Sequence, residues 1–119
     1  MSLEDRLEAG LNLIRQGEYF AAHEELEVAW RAAAAEERDF FQGLVHFTVA
    51  WFQAGRGNRV GCERQLEKAA RRLAPYAPAH RGVDVADVLG QVDVARDAVA
   101  RGVLTFDPAR VRRPSGVGR

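Results

Sequence analysis

Leu3, Leu7, Leu11 and Ile14 recur every three or four residues, the spacing of one face of a helix. Ser2, followed by Asp5, offers a capping box at its start. Gly17 is a natural residue for its end. The first helix is therefore expected to reach about Gln16. A second is expected from about Glu18 to Ala35 and a third from about Glu37 to Ala54, with neither glycine nor proline to separate them. "GRGN" (55–58) marks a firm break, glycine closing one helix and Asn58 capping the next. The fourth helix continues to about Leu73, with Glu67 and Arg71 one turn apart. "APYAPAHRG" (74–82) reads as a proline-bearing loop. Asp84 caps a fifth helix, whose apolar face is Val85, Val88, Leu89, Val92, Ala95 and Val99, and Gly102 ends it.

"VLTF" (103–106) is short and apolar and is expected to tuck back against the helices. From Pro108 the chain carries four arginines and no helical period. Residues 108–119 are expected to be a solvated, mobile tail on a single domain of residues 1–107. The class is all-α: a compact bundle of about five helices in which short connections make neighbours antiparallel.

Within this pattern, "YFAAHEELEVAW" (19–30) places polar groups where apolar ones are expected. Phe20, Leu26 and Trp30 share one side of the second helix, with His23 and Glu27 between them and Glu24 at the edge. Ala21, Ala22, Glu25 and Ala29 take the opposite side. On the third helix, Phe40, Leu44, Phe47 and Trp51 form an apolar side, while Gln42, His46 and Gln53 form a narrow polar stripe. That stripe is either the helix's exposed sector or the completion of a polar cluster with His23, Glu24 and Glu27. Such a cluster would be a packing network, or a site. His23, Glu27 and His46 supply metal-ligand types in number only, and histidine beside carboxylate is the material of general acid–base catalysis. The spacing is neither His-Glu-x-x-His nor the paired Glu-x-x-His of di-iron bundles, so no metal is assigned and no cofactor is expected. Trp30 and Gly43 are read as packing residues, Gly57 and Asn58 as capping residues.

Composition narrows the partners. Seventeen basic residues balance seventeen acidic ones, which removes the electrostatic case for nucleic acid or an anionic membrane. The arginine tail alone does not restore it. The apolar run from Leu44 to Phe52 is too short to span a bilayer. The acidic opening "MSLEDRLEAG" lacks the apolar region of a signal peptide, so the cytoplasm is expected. The single cysteine, Cys62, shares an apolar face with Leu66 and Leu73 and is read as a buried hydrophobe. His80, in the proline loop, is read as solvated. Abundant alanine and arginine with little lysine suggest a GC-rich bacterial genome.

"GEYFAAHEELEVAW" (17–30), "FFQGLVHFTVAW" (40–51), Gly57-Asn58 with Gly61, and "LAPYAPAHRGVD" (73–84) together resemble the DUF309 family. The resemblance covers about Gly17 to Leu89. It implies a small helical bundle, found in bacteria, archaea and plants, and no assigned activity. The family pattern has glutamine at the place of His46 and histidine near that of Gln53; here the two are exchanged on one stripe. The reading preferred from the sequence is a non-catalytic cytoplasmic helical module acting through a protein partner or self-association. The alternative is a small hydrolase-like or metal-binding protein centred on His23, Glu24, Glu27 and His46.

Overall fold

The computed structural model describes residues 1–114. Five helices follow one another: α1 (Leu3–Arg15), α2 (Tyr19–Ala32), α3 (Ala35–Gly55), α4 (Arg59–Leu73) and α5 (Val85–Ala100). Ser2 and Asp5 form the capping box that opens α1, and Asn58 caps α4 by accepting from the Gly61 amide at 2.9 Å. α1, α3 and α5 end alike. After α1, the Gly17 amide reaches Ile14 O and the Glu18 amide reaches Leu13 O. After α3, Gly57 reaches Ala54 O and Asn58 reaches Gln53 O; after α5, Gly102 reaches Val99 O and Val103 reaches Ala98 O. This double closure is the Schellman motif. Its left-handed residue is glycine each time, as with Gly57 at φ +74°.

Each helix packs on the next in sequence, and α3 is the central member. Phe40, Phe41, Leu44, Phe47 and Ala50 on it have no exposure. Gly43 lets α4 close on α3: a Cβ there would stand 2.6 Å from Leu73 Cγ. No glycine or proline is needed to part α2 from α3; Ala33 and Ala34 simply turn extended, at ψ 150° and 157°.

Two expectations about α2 are corrected. Phe20, placed inside by its hydrophobicity, is 52% exposed, while Ala22, Leu26 and Ala29 are fully buried. The buried stripe is the alanine side, because α2 packs against both α1 and α3, and small side chains let helix backbones approach.

The stretch after α4 is more ordered than a loop. A 3-10 turn (Ala74–Tyr76) leads into two short antiparallel strands, β1 (Ala79–His80) and β2 (Val83–Asp84). Arg81 and Gly82 join them with φ +48° and +76°, the positive pair that a tight type I′ hairpin turn requires.

The packing does not stop at residue 107. Residues 103–112 form a strap bonded to five elements. The Trp51 indole N–H donates to Asp107 O at 2.8 Å, and the Ala109 amide to the Tyr19 hydroxyl at 3.1 Å. Arg15 Nη2 donates to Val111 O at 2.9 Å, and the Asp84 amide to Arg112 O at 2.8 Å. Gln91 bonds both backbone groups of Arg110 at 2.9 Å. Leu104 and Phe106 pack against the core as expected, and Ala109 and Val111 are buried. Residues 109–112, inside the stretch expected as a tail, thus pack on the bundle. Apolar side chains alternate there with arginines, and one edge of the bundle carries unpaired donors and acceptors to receive them. The end of the expected tail, residues 115–119, lies outside the described residues.

Candidate functional site

His23 and Glu27 stand at the margin of α2, with side chains 20% and 37% exposed. His23 Nδ1 lies 2.7 Å from Phe20 O, the spacing of a helical turn. The Phe20 carbonyl can only accept, so Nδ1 carries the proton and Nε2 is left to face Glu27 at 3.9 Å. Glu27 also faces Arg31 at 3.6 Å. The nearest charged groups of both therefore sit on α2, not on a neighbouring helix. Glu24 is exposed.

The polar stripe of α3 divides. His46 turns to α4, its Nδ1 2.7 Å from Gln65 Oε1, and burial pushes its pKa down, helped by the nearby charges of Arg72, Lys68 and Arg71. Gln53 stays at the end of α3 and accepts from Asn58 Nδ2 at 3.1 Å. Gln42 is half-buried, with no side-chain hydrogen bond among the described residues. The six candidates do not converge on one point, then: His46 faces α4 while His23 lies between Phe20 and the far end of α3. Among the described residues no group of three or more His, Cys, Asp or Glu is placed to hold a metal ion.

His23 and Gln53 do share a cavity of about 180 Å³, walled by Tyr19, Phe20, Val49 and Phe52. This is below the several hundred Å³ of ordinary ligand sites. Its surroundings are aromatic. Phe20 stacks on His23 at 4.9 Å and on Phe52 at 5.4 Å, and the Arg56 guanidinium lies over Phe52 at 5.6 Å. The helix-packing candidates sit as their residue types suggest: Trp30 is partly buried against the core. Cys62 is fully buried, and its thiol pKa is pushed up to about 11 by burial, which leaves it no thiolate at neutral pH.

Two features were missed in the sequence. His80 is not solvated: its Nε2 lies 2.8 Å from Glu37 Oε1, and its ring meets Phe40 and Tyr76 edge-on or tilted at 4.7 and 4.8 Å. Arg81 Nε donates to the same Glu37 oxygen at 2.7 Å, and its Nη1 pairs with Glu4. Arg81 and then His80 hold the Glu37 carboxyl below the usual glutamate range. The other feature is a larger groove of about 480 Å³ between α5 and the strap. Its one sequence signal is Gln91, a glutamine inside the apolar run of α5 that is 8% exposed.

The family model described as Domain of unknown function (DUF309) matches residues 7–65. This stretch of the chain is similar to the DUF309 family. The matched stretch runs from α1 into α4. It contains His23, Glu24, Glu27, Gln42, His46 and Gln53, with the aromatic patch around them; α5, the hairpin and the strap lie beyond it. No curated protein matches the chain. The DUF309 description carries no activity.

Proposed function

We propose that this protein is a non-catalytic helical module of the cytoplasm that works by docking another protein chain, a partner or a second copy of itself, on its α2–α3 face. One observation carries the reading: Phe20, 52% exposed, stands on His23 and Phe52 with Arg56 beside them. Exposed aromatics flanked by arginine are the residue types that anchor protein interfaces. A formal net charge of zero leaves little like-charge repulsion between copies. No helix among the described residues is long and apolar enough to cross a membrane.

Sedimentation of the purified protein, with cross-linking in a cell lysate, tests this. The expected result is a dimer or a specific captured partner, lost in Phe20→Asp. Phe20 contributes little to the core, so Phe20→Asp should leave the fold unchanged. A monomer at high concentration that captures nothing, or an association unchanged by Phe20→Asp, overturns the reading.

A further inference from the structure

The groove between α5 and the strap lies away from the aromatic patch of Phe20 and Phe52, and apart from Trp51 its lining is outside the DUF309 match. Its volume of about 480 Å³ falls within the ~300–1,000 Å³ of small-molecule sites. The α5 wall is apolar and open: Ala86, Gly90 and Val94 follow one another at one-turn spacing, and Val94 is 72% exposed. Phe106, stacked on Trp51 at 5.0 Å, supplies aromatic surface.

The polar groups at this groove are unequally engaged. Gln91 is fully used: its amide nitrogen donates to the Asp87 carboxylate and to Arg110 O, and its oxygen accepts the Arg110 amide. The Asp87 carboxylate is accordingly held by Gln91 at 3.0 Å. The Arg110 guanidinium, by contrast, makes no hydrogen bond among the described residues. Its Nε is buried without a partner, and the nearest carboxylate oxygen, on Asp87, stands 4.0 Å from Nη2. The side chain is 40% exposed, so its outer nitrogens can be reached. The Asp107 carboxylate also borders the groove, but that residue is exposed. A hydrated carboxylate gains little from a ligand cation, whereas a half-desolvated guanidinium with no acceptor gains a forked, charge-assisted pair.

We propose that this groove binds a small organic carboxylate, its apolar body on Ala86, Gly90 and Val94 and its carboxylate on the Arg110 guanidinium. The site is independent of the association face, and either can fail alone.

The structure supplies two clean variants. A Cβ built on Gly90 meets nothing within 4 Å, so a side chain introduced there starts into open space, and Gly90→Leu is expected to occlude the groove while raising helix propensity. Arg110→Gln removes the guanidinium while keeping the backbone groups that Gln91 holds. The probes are phenylbutyrate, phenylbutanol and phenylbutylamine, titrated against the full chain and read from the Trp51 indole N–H resonance. Phenylbutyrate is expected to bind saturably, about tenfold or more tighter than the alcohol. Arg110→Gln should erase that preference, and Gly90→Leu should abolish binding of the acid and of the alcohol. The proposal is overturned if none of the probes saturates, if the amine or alcohol matches the acid, or if Arg110→Gln leaves the preference intact.

Discussion

His46 shows what a half-buried polar residue does in a core of this kind. Its Nδ1 proton is spent on Gln65, while Nε2 is buried with no partner among the described residues. Protonating Nε2 would place a charge beside Arg72, Lys68 and Arg71, and burial already pushes the pKa below its ordinary 6.5. The folded protein therefore takes up this proton later than the unfolded chain as pH falls. Stability from this residue is complete above 6.5 and is lost progressively below it, down to the lowered folded pKa. Denaturant unfolding of wild type and His46→Gln between neutral and mildly acidic pH should show the wild type losing more stability over that window. Parallel curves for the two proteins would show that His46 is not the group responsible. His23 and His80 are common to both chains, so the difference isolates His46.

Among the elements, α1, α4 and α5 were legible because their apolar positions repeat cleanly and their ends carry Ser2, Asn58, Asp84 and glycines whose geometry is local. α2 was misread at the level of its face. Hydrophobicity ranks Phe20 above Ala22, but a helix packed on two neighbours is selected by size as much as by apolarity. The candidate cluster divides for a related reason: spacing puts His23 and Glu27 on one arc, yet it cannot say that His46, a helix away, turns toward Gln65. The strap was missed because a helical period was sought where the true period is two, Ala109 and Val111 in, Arg110 half-buried between them and Arg112 out. What holds the strap is largely Gln91, which satisfies both the amide and the carbonyl of Arg110. Gln91→Leu should leave those groups short of partners and cost ~1–3 kcal/mol. The loss should be local before it is global: exchange of the Arg110 amide should accelerate in native conditions, while amides in the middle of α3 should follow only the overall fall in stability. An Arg110 amide exchanging at the wild-type rate would mean that Gln91 does not clamp the strap.

Across the whole molecule, one ionic knot joins segments distant in the chain. Glu37, in the first turn of α3, takes His80 from β1 and Arg81 from the hairpin turn, and Arg81 reaches on to Glu4 in α1. Arg81 also lies over the Phe41 ring at 5.6 Å. Arg81 thus links the carboxylates of two helices, Glu37 on α3 and Glu4 on α1, to the hairpin. Because the Glu37 and Arg81 side chains are only 21% and 25% exposed, salt screens this pair less than an open surface bridge. Arg81, then His80, hold the Glu37 pKa below its ordinary 4.5. The unfolded chain therefore binds this proton first on acidification. Stability from Glu37 is fully present above about 4.5 and drains away as pH falls through that value toward the lowered folded pKa. Glu37→Gln should cost ~1–3 kcal/mol at neutral pH and make the acid limb of the stability curve shallower. The same variant should leave the His46 window unchanged, since the two residues share no partner. An acid limb as steep in Glu37→Gln as in wild type would place the acid sensitivity in other carboxylates and reduce the knot to surface decoration.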